Sequence, residues 1–168
     1  MNFENKSDKE IIDLLIGELE RRTPVQIHTN LDLLVQHIRL FPAGLRAMAA
    51  TYQFDVSMAL DDLGWHFANQ HHKDYYEETL VGLRELGASE EAVIFSSAYQ
   101  MVLPYWDEIG RMVQSDFHEF ADWYNDSELD KTLGPLNTRL WEMSEELGEF
   151  GFMQHWINYA KMYPERLV

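Results

Sequence analysis

The chain contains no cysteine, which excludes disulfides and thiolate metal sites and fits a reducing compartment. Basic side chains are scarce: 13 Lys and Arg stand against 29 Asp and Glu, for a formal net charge of −16. Such a surface repels nucleic acid and anionic membranes and attracts basic proteins at long range. Direct nucleic-acid binding is therefore not expected. No apolar run approaches the ~20 residues of a membrane span, and the polar start from Met1 to Glu10 has no signal-peptide core. Phosphate-cradling glycine loops, a G-x-S-x-G elbow and an H-E-x-x-H helix are all missing. These absences predict a cytoplasmic protein with no cofactor and no catalytic residues, hence no enzyme.

What is present is apolar mass in helical rhythm. With 168 residues, 46% hydrophobic and 13% aromatic, the chain suits one globular domain spanning 1–168. Ser7 and Glu10 have capping-box spacing ahead of Ile11, Leu14, Leu15 and Leu19, and Thr23-Pro24 closes that helix. Asn30 caps a second helix to Leu40. A third runs from Pro42 to about Phe54 and a fourth from Val56 to Leu63. Leu63-Gly64 reads as a turn into a short aromatic segment ending near Asn69. A helix from Lys73 then stops at Gly87, and Ser89 caps the next as far as Leu103. Trp106 to Tyr124 reads as one long amphipathic helix, and Asn125 to Leu133 as a polar loop with a turn at Gly134-Pro135. Two more helices follow, separated near Gly148 and Gly151. The expected fold is all-α, an irregular orthogonal bundle of about seven to nine helices with no strands.

The acids are unevenly placed. Between Glu85 and Glu149 fifteen acidic residues face three basic ones, Arg111, Lys131 and Arg139, a net of 3 − 15 = −12. On one long helix, Glu108, Glu119, Asp122 and Asp126 share the face opposite the aromatic stripe, with Asp116 beside them. Glu142, Glu145, Glu146 and Glu149 form a second row at i, i+3, i+4, i+7. Like charges so spaced destabilise a helix by roughly 0.2–0.5 kcal/mol per pair, whereas a merely soluble surface intersperses both signs. Carboxylates about 5–6 Å apart approach the spacing of phosphates on a DNA strand. These nine residues are the candidate partner-binding set.

The segment 61–88 is the most distinctive stretch. Gly64-Trp65-His66-Phe67-Ala68-Asn69, then Glu78-Thr79-Leu80, Leu83 and Leu86-Gly87-Ala88, resembles the signature of the bacterial DNA-mimic-protein-like family of small acidic all-helical proteins. Leu63 stands where a first glycine is usual there, and His71-His72 where small turn residues are. The resemblance implies a protein that occupies the DNA-binding surface of a basic partner such as a transcriptional regulator. It also implies a possible homodimer. Physically, Trp65 and Phe67 suit anchors into the core, and Asn69 a cap for the following turn.

Two rival readings remain open. One is another interaction or immunity-type regulatory protein, anchored by exposed aromatics such as Trp106 or Trp141. The other is a metal-dependent enzyme using His71, His72, Asp74 and Glu78, whose donor types suit hard or borderline ions. Adjacent histidines at a helix start point apart, which weighs against the second.

Overall fold

A computed structural model describes residues 3–27 and 30–168. The chain is all-α, and the described residues contain no strand. Its helices are α1 (Asp8–Arg22), α2 (Leu31–Ile38), α3 (Ala43–Leu60), α4 (Leu63–Asn69), α5 (Lys73–Glu85), α6 (Ser89–Val102), α7 (Trp106–Ser115), α8 (Phe117–Tyr124), α9 (Glu128–Leu147) and α10 (Met153–Met162). Short 3₁₀ turns at Val25–Ile27, Leu103–Tyr105 and Pro164–Leu167 complete the path.

Local signals place most ends. Ser7 and Glu10 close the capping box of α1, with the Ser7 amide donating to Glu10 Oε2 over 2.8 Å. The Asn30 side chain accepts from the Leu33 amide, satisfying one of the orphan donors of α2. After α5 the chain turns at Gly87, whose φ of +80° belongs to the left-handed region. Ser89 is already inside α6; the cap position falls to Ala88, which makes no side-chain bond.

Four expectations about element boundaries need correction. No helix boundary falls near Asp55: α3 is one helix of 18 residues. Leu63 and Gly64 are no turn, because the Asp62 carboxylate accepts from the Trp65 amide and starts α4 at Leu63. The long helix from Trp106 is broken at Asp116, which is extended (φ −159°, ψ 125°) and caps α8 through the His118 amide. Glu128–Leu147 is a single helix that carries Gly134 and Pro135 inside it. There Leu133 and Leu140, both fully buried, hold the rod against its neighbours and outweigh the local preference for a turn.

The largest apolar cluster joins α3 to α9 around Phe54, Phe67, Phe95, Phe120 and Tyr124. Phe67 and Phe95 stack with centroids 5.3 Å apart. A second cluster seats α1 and α10 on α3, with Trp156 at 1% exposure and its indole N–H donating to Thr51 Oγ1. Within segment 61–88, Phe67 is the core anchor, while Trp65 is only half-buried, edge-on to Phe120. Asn69 lies exposed at the end of α4. The cap of α5 is His72, whose Nδ1 accepts from the Tyr75 amide.

Asp55 faces the start of α10. Burial pushes its carboxyl up to about 6, against a smaller lowering effect of the nearby Met153 and Phe152 amides. Being raised in the folded chain, this acid holds a proton that the unfolded chain releases between about pH 4 and 6. Its contribution to stability therefore falls as pH rises through that window. Asp55→Asn keeps an acceptor facing α10 and removes the charge. The variant is expected to gain about 1 kcal/mol at pH 7, after discounting for partial exposure, and nothing at pH 4. Urea denaturation at both pH values checks this.

Candidate functional site

The nine candidate acids lie on α7, α8 and α9 or just beyond their ends. Eight are exposed, and Glu119 is half-buried. The break at Asp116 means that Glu108 belongs to one rod and Glu119 and Asp122 to another. The two rods are tied across the break by Arg111, whose Nη1 donates to Glu119 Oε1 over 2.8 Å. Asp116 has a structural duty as the cap of α8. Asp126 sits in the link to α9 with φ of +63°, a conformation Asp tolerates better than most residues.

The second row is less uniform than its spacing suggests. Arg139 lies among Glu142 at 3.7 Å, Glu146 at 3.2 Å and Glu90 of α6 at 3.0 Å. It neutralises part of that row and staples α9 to α6. The helix ends at Gly148 with φ of +91°, so Glu149 lies beyond the rod. From the start of α9 at Glu128, just past Asp126, to Glu142 the helix advances 142 − 128 = 14 residues, about 21 Å at ~1.5 Å per residue. The two rows are thus distinct stations on the molecule. Among the described residues, Glu108, Asp116, Asp122, Asp126, Glu145 and Glu149 make no ion pair, whereas Glu119, Glu142 and Glu146 do.

The histidine cluster comes apart. His71 stacks on Trp106 at 4.0 Å and its Nε2 meets the Trp106 carbonyl at 2.8 Å. His72 caps α5 and turns its Nε2 to Asp32. Asp74 meets Arg39 at 3.3 Å. Glu78, 4% exposed, receives Arg39 Nε at 2.6 Å and Arg46 Nε at 2.7 Å. All four side chains of ligand type are thus held by protein partners, with Arg39 shared by Asp74 and Glu78, and among the described residues they are not assembled into one donor set. Trp106 is itself buried beneath His71 and so is not available as a surface anchor, whereas Trp141 is 42% exposed.

Sequence reasoning missed the buried ion pairs. Burial pushes Glu78 up, but Arg46 and Arg39 outweigh it and hold the carboxylate below its usual range. Glu91, one of the fifteen acids between Glu85 and Glu149, is buried against His155 Nε2 at 2.7 Å. Burial raises it and His155 more than compensates. The partners lie 39, 32 and 64 positions away in the chain, so no local spacing announces them. The caps at Asp62 and Asp116 were detectable, since each is an Asp ahead of an apolar run.

No helix among the described residues is long and apolar enough to cross a membrane. In comparison with known proteins, the model of the family described as DMP19-like protein matches residues 39–162. The chain matches no curated protein and no solved structure. The matched span runs from Arg39 at the end of α2 to Met162 at the end of α10 and so takes in segment 61–88 and all nine candidate acids. The chain belongs to the DMP19-like protein family.

Proposed function

We propose that the protein is a non-enzymatic binding module whose acidic surface engages a basic DNA-binding protein, such as a transcriptional regulator, in competition with DNA. Membership of the DMP19-like family agrees with the resemblance to DNA-mimic proteins. The observation that carries the reading is the set of exposed carboxylates without ion pairs on α7 to α9, within a chain of net charge −16. Uncompensated charge costs a helix stability, and electrostatic attraction to a basic surface is the gain that offsets it. The contact set narrows to Glu108, Asp116, Asp122, Asp126, Glu145 and Glu149. Glu119, Glu142 and Glu146 already share arginines and contribute field more than direct contact.

The test is a capture experiment from the source cell at low and high salt with wild type and Glu108→Lys/Asp122→Lys/Glu145→Lys. Asp116 is spared because it caps α8. The expected result is recovery of basic DNA binders at low salt only, with at least tenfold less from the triple variant at unchanged helical circular dichroism. Equal recovery by the triple variant sinks the reading. Capture that survives the triple variant and is lost in Trp141→Ala supports instead the rival mode, an interface anchored by an exposed aromatic.

A further inference from the structure

A cavity of about 420 Å³ opens between α1, α2, α3, α5 and the Val25–Ile27 turn, remote in sequence from the acidic surface of α7 to α9. That volume lies within the range of small-molecule sites. Leu19, Leu34 and Ile38 make its walls largely apolar. Two polar features give it a direction. Tyr75 lines it at 1% exposure, and its hydroxyl is the one buried side-chain polar atom without a hydrogen-bond partner among the described residues. Buried polar atoms are almost always partnered, and an exception calls for an explanation. Burial pushes this phenol up; the Gln53 backbone amide is near enough to oppose that slightly but does not reach hydrogen-bond geometry, so the hydroxyl is a neutral donor at ordinary pH.

Glu20 is the second feature. Among the described residues it is the one charged side chain on the cavity wall; it is exposed and makes no ion pair with any of them. None of the described lining residues is Lys, Arg or His. A carboxylate or phosphate ligand entering there gives up water and finds no compensating positive charge among those residues. A cation finds Glu20.

We propose that this cavity is a binding site for a small organic amine. Its apolar body lies against Leu19, Leu34 and Ile38, its ammonium group meets Glu20, and an oxygen at its inner end accepts the hydrogen bond of Tyr75. The assignment is independent of the DNA-competition reading, because none of its residues belongs to that surface.

The test uses the full chain and two probes with the same phenol body and opposite charge, tyramine and 3-(4-hydroxyphenyl)propionate. Titration calorimetry gives affinity, and amide shifts in NMR spectra locate the site. Tyramine is expected to bind at millimolar affinity or better and to shift residues 16–23, 34–38 and 49–53; the acid does not bind. Glu20→Gln lowers tyramine affinity about tenfold. Tyr75→Phe lowers it by a similar factor while leaving the unfolding temperature equal or higher, since it deletes an unpartnered hydroxyl. No tyramine binding, equal binding of the two probes, shifts elsewhere, or affinity unmoved by both variants overturns the assignment. Thermal melts of each variant separate lost binding from lost folding.

Discussion

Gly64→Ala is expected to destabilise the protein by about 2–4 kcal/mol, a large fraction of the stability of a domain this size. The cause is contact and not backbone conformation, for Gly64 is an ordinary helical residue of α4. A Cβ built there falls 2.2 Å from Tyr124 Cζ and 2.3 Å from its hydroxyl oxygen. Tyr124 cannot give way cheaply. It is 1% exposed, stacks on Phe120 at 5.3 Å and donates to Asp62 Oδ2 over 3.1 Å. Asp62 in turn caps α4, and the adjoining Leu63 amide donates to Asn137 of α9. One methyl group therefore pries α4 from α8 and α9 together. Against this stands the ~1 kcal/mol by which Ala exceeds Gly in helix propensity, which the steric cost exceeds. Chemical denaturation of the single variants and of Gly64→Ala/Tyr124→Leu checks the assignment. The second substitution vacates the colliding volume, so the double variant is expected to be more stable than the sum of the two single losses predicts. Strict additivity would falsify the contact account.

Gly64 also shows how far local reading carries. Its position in the 61–88 segment was visible as distinctive, yet a glycine after an acidic pair reads as punctuation. Only Tyr124, sixty residues on, reveals it as clearance. Where determinants are local, the reading holds: Ser7 with Glu10, Asn30, Gly87 and Gly148 each end or begin a helix where their chemistry demands. Where tertiary burial competes with a local breaker, the reading fails. Gly134-Pro135 predicts a turn, but Leu133 and Leu140 keep α9 intact across it. At Asp116 the error is the reverse. The apolar periodicity from Trp106 to Tyr124 masks an N-cap that the Asp116–Glu119 spacing advertises. For the candidate surface, sequence distinguishes exposed from buried positions on one amphipathic helix. It does not say that Arg111 of α7 reaches Glu119 of α8 across the break at Asp116, whereas Arg139 shares α9 with Glu142 and Glu146, and the i,i+3 spacing of Arg139 and Glu142 is local enough to read.

Glu78→Gln is expected to cost about 2–3 kcal/mol at pH 7 and much less at pH 3. The carboxylate is 4% exposed and takes three guanidinium N–H bonds, from Arg39 Nε at 2.6 Å, Arg46 Nε at 2.7 Å and Arg46 Nη2 at 2.9 Å. Losing one partner of a fully buried ion pair costs about 3–5 kcal/mol because a charge is stranded. Here both arginine side chains keep more than a third of their surface in water, at 39% and 37%, and they rehydrate, so the lower figure applies. The carboxylate is held below its ordinary value in the folded chain. Its stabilisation is therefore fully present above the unfolded value of about 4.5 and is lost as pH falls below it towards the depressed folded value. Denaturation midpoints of wild type and Glu78→Gln should thus converge on acidification, with the wild type doing the moving. A gap that stays constant from pH 7 to pH 3 assigns the loss to packing and not to charge. Because the two arginines bridge from the end of α2 and from α3 onto α5, the same variant should open that corner first. Faster amide exchange in α2 and in the first turn of α3 than in α6 or α9 is the expected signature.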